Sequence, residues 1–262
     1  MTVVQYALDN AKVTASPMLD CLSEILDEET TGLLGRLPLV PTGRYWVPAA
    51  GNGSVARWLA RTLGPTAEVV ASDADPRHIP QVDGLRVVRR DDVADGPLPG
   101  EWDGIPLRLF AAHTSARVEL VHRYASVLRP GGVLVDQEWG VWSGFVQHSP
   151  YADAHDVYEH YQEALRRVFD ARGNDATWSV KAAEVFEAAG LVDVRTTVSA
   201  RSWPGGSAGC RLVVVVAAEL REQLIAQGAD PGLLDRLPEI MHDPETVVIG
   251  NATWTTVGFA PA

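Results

Sequence analysis

Apolar positions fall into two styles of pattern along the chain. Before residue 43 they recur at helical spacing: Leu19, Leu22, Ile25 and Leu26, then Leu33, Leu34 and Leu37. Pro38 and the Pro41-Thr42-Gly43 turn close that segment. From Tyr45 onward, short apolar runs alternate with amphipathic stretches. The runs predict strands at Tyr45–Ala49, at Glu68–Ser72 closing on Asp73, at Leu85–Arg89, within Trp102–Phe110 and at Val133–Gln137. Helices are predicted between them at Val55–Leu63 and Ser115–Leu128. Ser54 is placed to cap the first, Gly64-Pro65 to stop it, and Arg129-Pro130-Gly131-Gly132 to stop the second. Such alternation predicts an α/β fold, a parallel sheet with helices on both faces.

The remainder reads differently. Amphipathic helices are predicted at Ala152–Ala171 and Val180–Ala189, the latter ended by Gly190, and a strand at Val192–Arg201. Arg211–Gln227 reads as a helix, although its run Val213–Val216 has strand propensity. Val247–Phe259 closes the chain as a strand. No stretch is rich enough in Pro, Gly or Ser to act as an interdomain linker, so one domain over 1–262 is expected. Its segments are a helical cap (1–42), a core (43–138), cap helices (139–190) and C-terminal strands and helices (191–262).

Composition narrows the class. Hydrophobic residues make up 46% and charged residues 21%, ordinary for a water-soluble globular chain. The net charge of −12 argues against a nucleic-acid partner, which selects for a basic face, and favours a small-molecule substrate. Cys21 and Cys210 are far apart and lack metal-ligand spacing, so neither a disulfide framework nor a metal site is expected. The start MTVVQYALDNAK has no signal pattern, and the longest apolar run, Leu212–Ala218, is too short to span a bilayer. A cytoplasmic protein without a membrane partner is expected; the acidic surface permits a homodimer.

Four features in order carry candidate chemistry. A strand runs into Gly51-Asn52-Gly53-Ser54 and then a helix, where glycines let a ligand approach the backbone and a helix N-terminus offers free amides. A tight turn without a ligand reads the same way. The next strand ends in Asp73, roughly 20 residues on, the spacing at which a carboxylate accepts from ribose hydroxyls. A turn or capping acid is the plainer alternative. The third strand is followed by Asp92-Val93, an acid to accept from an adenine amine beside an apolar residue to pack on its ring, or else a solvated loop acid. Trp102-Asp103 opens the fourth strand, and Leu128-Arg129-Pro130-Gly131-Gly132 precedes the fifth.

The stretch Ala50-Gly51-Asn52-Gly53-Ser54-Val55-Ala56-Arg57-Trp58-Leu59-Ala60 resembles the glycine-rich motif of class I S-adenosylmethionine (SAM)-dependent methyltransferases, especially bacterial enzymes acting on small molecules. Val69-Val70-Ala71-Ser72-Asp73-Ala74-Asp75-Pro76 is similar to their second motif. Leu128–Val135 resembles the segment leading into their fifth strand, and Ala188–Val194 the turn near their C-terminus. The resemblance implies a Rossmann-like, seven-stranded, mostly parallel sheet with its last strand antiparallel. It implies a SAM site formed by Ala49, Gly51, Asn52, Gly53, Ser54, Asp73, Ala74, Asp92 and Val93, with Arg108 and Leu109 facing the cofactor. The segments before Gly43 and after Glu138 would cap the substrate pocket. The chain departs from the pattern at Val47, where the family has an acid, and at Ala49, where it has its first glycine. No Arg for the methionine carboxylate stands near Ser16-Pro17-Met18-Leu19.

Methyl transfer requires alignment of an acceptor with the methyl group, and a base only if the acceptor holds a proton of high pKa. His113, after the fourth strand, is the first candidate base and Glu138, after the fifth, the second. Trp139, Trp142, His148, Tyr151, His155 and Tyr158 are candidate substrate-lining residues, with core packing as the alternative for the aromatic ones. The expected function is methyl transfer to an O, N or C atom of a small molecule, a secondary metabolite. Its alternative is the same fold turned to a non-methylating step such as cyclisation or isomerisation. A nicotinamide dehydrogenase is disfavoured because no Tyr-x-x-x-Lys pair is present.

Overall fold

A computed structural model describes residues 15–140 and 142–262; the expectation for the first fourteen residues of the N-terminal segment lies outside the described residues. Helix α1 (Ala15–Leu34) leads to β1 (Arg44–Val47), α2 (Ser54–Leu63), β2 (Glu68–Asp73), β3 (Leu85–Arg89) and β4 (Trp102–Arg108). Then come α3 (Arg117–Ala125), β5 (Leu128–Trp139), β6 (Phe145–His148), α4 (Ala154–Asp170), α5 (Trp178–Ala188), β7 (Val192–Ser199) and β8 (Ser202–Pro204). Helices α6 (Ala208–Glu219), α7 (Arg221–Ala226) and α8 (Pro231–His242) precede β9 (Val247–Ile249) and β10 (Thr253–Phe259).

The chain forms two compact units, neither continuous in sequence, which explains why no linker is visible. One comprises 26–138, 177–197 and 254–262. It holds a seven-stranded sheet in the order β3-β2-β1-β4-β5-β10-β7. β1 to β5 pair in parallel. β10 runs against β5: Ala260 bonds to Gly131 and Gly132 while Thr255 bonds to Gln137. The sheet is buried on both faces, so its central strands read as continuous apolar runs. Alternate residues feed two cores. Tyr45, Val47, Val69, Ala71, Val133 and Val135 pack with α2. Trp46, Val70, Ile105 and Leu134 pack with α3 and α5.

The Arg129-Pro130-Gly131-Gly132 stretch does not lie between helix and strand as expected. It is a bulge inside β5, where the register with β4 jumps from Trp102↔Leu128 to Gly104↔Val133. A Cβ on Gly132 would lie 2.8 Å from the Trp102 carbonyl oxygen, so only glycine fits.

The other unit contains 139–176, 198–253 and the start of α1. Its core gathers α4, α6, α7 and α8, and β6, β9 and β8 form a small antiparallel sheet. Here the β-branched run of α6 is helical, because Leu212, Val213, Val216 and Ala217 present one buried stripe to that core. Packing overrides propensity. The single closing strand expected at Val247–Phe259 is two strands in different sheets. The break falls at Gly250-Asn251, where the Gly250 N–H donates to the Arg201 carbonyl and Asn251 accepts from the Gly144 N–H. Among the described residues no helix is long and apolar enough to cross a membrane.

Candidate functional site

β1 ends at Val47 and the chain turns through Ala49, Gly51 and Gly53, all in the left-handed region at φ 47°, 59° and 73°. Glycine adopts this region without strain, whereas alanine at Ala49 stores strain of about 1–2 kcal/mol. The place of the family acid, Val47, is 5% exposed within the apolar layer against α2. Gly53, not Ser54, occupies the N-cap position of α2. Asn52 Oδ1 accepts from the Ser54 N–H at 3.1 Å. The Ser54 hydroxyl caps nothing: it donates to Asp27 at 2.8 Å and accepts from Arg108 at 2.9 Å.

Asp73 closes β2 beside this loop. One carboxylate oxygen accepts from the Gly51 N–H at 2.9 Å, the other from the Asp75 N–H at 2.9 Å. Burial raises its pKa against the lowering effect of these two donors. Each oxygen retains a lone pair. Ala74, next along, is exposed.

Asp92 lies deeper than the sequence suggests. It is 4% exposed, not a solvated loop acid. The Ala49 N–H donates to it at 2.9 Å, the Ser72 hydroxyl reaches both of its oxygens, and Arg90 Nε stands 2.9 Å away. Trp46 Nε1 in turn donates to Ser72 Oγ at 2.7 Å. Burial pushes Asp92 up to about 6, outweighing these partners. The carboxylate expected to meet an adenine amine is thus engaged in holding Ala49 in its left-handed turn. Val93 is half-buried against the core that contains Trp46.

Arg108 ends β4. Its guanidinium pairs with Asp27 at 2.6 Å and donates to Ser54 at 2.9 Å, so α1, α2 and β4 meet in one ion-paired cluster. Sequence reasoning missed Asp27. It stands on the helix α1, 81 positions before Arg108, and no spacing signals the pair. Leu109 follows at φ 50°.

The two candidate bases are neighbours in space but differ in kind. His113 ends a short 3-10 turn, Ala111–His113, after β4 and is half-buried. Glu138 is 1% exposed and accepts from the Phe110 N–H at 2.8 Å and the Ala112 N–H at 3.1 Å. Through these two bonds Glu138 fixes the turn that carries His113. Burial and the nearby Asp136 drive the Glu138 pKa well up. Burial also raises Asp136, against the Trp178 indole N–H that donates to it at 2.8 Å.

The six candidate substrate-lining residues belong to the other unit. Trp142, His155 and Tyr158 line one cavity there. Trp139 and Tyr151 pack against that unit's core, with the Arg236 guanidinium 5.3 Å from the Tyr151 ring centre. His148 is exposed at the end of β6 and pairs with Val247.

No family model matches the sequence, and no curated protein is similar to it. Solved structures are. A phosphoethanolamine N-methyltransferase 2 of Haemonchus contortus, in complex with phosphomonomethylethanolamine and S-adenosylhomocysteine, is 14% identical with a TM-score of 0.60. The match covers 100% of this chain and 61% of that one, so the chain spans about three fifths of the nematode enzyme's length. A Bacillus halodurans C-125 protein, described as a candidate methyltransferase, is 16% identical with a TM-score of 0.56, over 90% of this chain and 100% of that one. Human N-acetylserotonin methyltransferase in complex with SAM is 12% identical with a TM-score of 0.54, over 97% and 58%. The seven-stranded unit and these likenesses establish the fold: that of the class I SAM-dependent methyltransferases.

Proposed function

We propose that this chain is a SAM-dependent methyltransferase acting on a small molecule, a secondary metabolite, with the methyl group delivered to an O, N or C atom. The observation that carries the reading is the left-handed loop at Ala49, Gly51 and Gly53, braced against Asp73 at the neighbouring strand end. The donor set fits a nucleoside in part. Asp73 has lone pairs left for ribose hydroxyls, and its orientation is fixed in advance by two backbone amides. Asp92 is taken up by the protein, so Val93 and the loop backbone would serve the adenine. When bound, SAM supplies an electrophilic methyl group on a sulfonium. Arg108, Asp27 and Ser54 hold the loop against the end of β4. His113 would accept the proton of an acceptor that carries one, on a turn that Glu138 keeps in place. The proposal includes a cytoplasmic setting with neither nucleic acid nor membrane as partner, in keeping with the net charge of −12.

A second reading, the fold turned to a non-methylating step, draws on Val47, Ala49 and the internally bonded Asp92. Thermal unfolding with added ligands separates the two. A rise in melting temperature with SAM and with S-adenosylhomocysteine, but not with NAD, is expected for the methyltransferase. No rise with any of the three would favour the second reading.

A further inference from the structure

Asp136 and Glu138 stand two residues apart on β5, so both point to the face of the sheet that packs with α3 and α5. Each is only 1% exposed. Two residues of strand span ~7 Å, within reach of two carboxyl side chains. Neither has an ion-pair partner among the described residues. The elements packed around them bring uncharged groups. β4 sets Leu107 beside Asp136, and α5 brings the Trp178 indole and the buried Ser179 hydroxyl. β10, whose Thr255 meets Gln137 between the two acids, carries no ionisable residue. α3 turns Leu120, Val121 and Tyr124 inward, with the Tyr124 hydroxyl donating to the Asp92 carbonyl at 3.4 Å. The turn after β4 brings backbone amides; His113 ends it, and the Arg117 guanidinium donates to its Ala112 carbonyl at 3.4 Å.

Two neighbouring carboxylates without a cation cannot both stay ionised in a low-dielectric interior, so the pair keeps a proton. The hydrogen bonds decide which carboxyl keeps it. Glu138 accepts from the Phe110 N–H at 2.8 Å and the Ala112 N–H at 3.1 Å, and both donors favour its charged form. Asp136 accepts one bond, from Trp178 Nε1 to Oδ2 at 2.8 Å, while its Oδ1 is buried with no donor. A bare carboxylate oxygen in that place is costly; a hydroxyl there is a donor beside the Glu138 anion.

We propose that Asp136 holds a proton on Oδ1 in the folded protein up to neutral pH, and so lets Glu138 stay ionised on the turn that carries His113. Asp136 is then a positioning residue that acts through Glu138. Once Asp136 ionises, two charges stand side by side and the hold on the turn weakens. The inference is independent of whether the chain moves a methyl group.

Infrared spectra of the full chain at pH 6, with an isotope label in the aspartate carboxyls, separate aspartic from glutamic acid groups by their C=O stretch. The un-ionised band lost in Asp136→Asn is expected to be a label-shifted one. Asparagine keeps an acceptor for Trp178 and offers a donor where the Oδ1 proton stands, so the variant should be as stable as the parent at pH 5. Burial pushes Asp136 up to about 7 from an ordinary 3.8, so its contribution to stability is complete below 3.8 and is lost as pH rises through 7. Hydrogen exchange at the Phe110 and Ala112 amides reads the turn directly. Between pH 6 and 8 these amides should open about tenfold more in the parent relative to Asp136→Asn. Loss of an unshifted band, a shifted band that Asp136→Asn leaves unchanged, a variant less stable than the parent at pH 5, or exchange that changes equally in both proteins would overturn the inference. Neither readout depends on SAM, so the glycine-loop assignment and this one can fail separately.

Discussion

Replacing Asp92 by Ala should cost the ligand-free protein about 4 kcal/mol, since a broken buried ion pair costs ~3–5 kcal/mol and each orphaned donor ~1–3. The structure names what loses its partner: the Ala49 N–H, the Ser72 hydroxyl proton and Arg90 Nε, on a side chain that is only 10% exposed and keeps its bond to the Gly96 carbonyl. Water entering the space left behind offsets some of that loss. Against a typical domain stability of ~5–15 kcal/mol the effect is large. Urea unfolding followed by circular dichroism would measure it, and a cycle with Ser72→Ala would isolate the coupling. The pH dependence gives a second readout. The folded protein holds the Asp92 proton up to about pH 6, against an ordinary value of 3.8. Its contribution to stability is complete below that ordinary value and is lost as pH rises through 6. Asp92→Asn should remove this component, which appears as the difference between the two stability profiles over pH 4 to 7. If Asp92 instead faces solvent and waits for adenine, both variants keep the stability of the parent within ~0.5 kcal/mol, and the buried-pair reading fails.

Other substitutions probe neighbouring contacts. Gly53→Ala forces alanine to φ 73° with its Cβ 2.7 Å from Ile79 Cγ2, so a loss of about 2 kcal/mol is expected in urea unfolding; a loss under half that would show that the loop has room to spare. Glu138→Ala frees backbone amides at Phe110 and Ala112 and should cost about 3 kcal/mol. Glu138→Gln keeps an acceptor and spares the buried charge, so it should remain at least as stable as the parent at pH 8. If the two variants behave alike, Glu138 does not hold that turn.

The sequence made the sheet legible because buried parallel strands declare themselves as apolar runs, as Val69–Ala71 and Val133–Val135 do. The place of Asp73, at the end of β2 beside the glycine turn, was readable from its spacing. What escaped was long-range or very short. Asp27 and Arg108 meet only because the fold brings α1 to the end of β4. Nothing local distinguishes Asp92 or Glu138 from loop acids; burial alone does, at 4% and 1% exposure. β6 and β8, of 4 and 3 residues, carry too few positions for an alternating pattern to show. The break between β9 and β10 depends on where Gly250 and Asn251 bond.

Whether the glycine loop and Asp73 together hold an adenosyl group is decided by calorimetric titration of S-adenosylhomocysteine into the parent and into Asp73→Asn. One site of micromolar affinity is expected in the parent. Binding should weaken about tenfold or more in the variant, whose amide presents a donor where a ribose hydroxyl needs an acceptor. Absence of binding to the parent at millimolar ligand, or equal affinity in both proteins, would contradict the assignment.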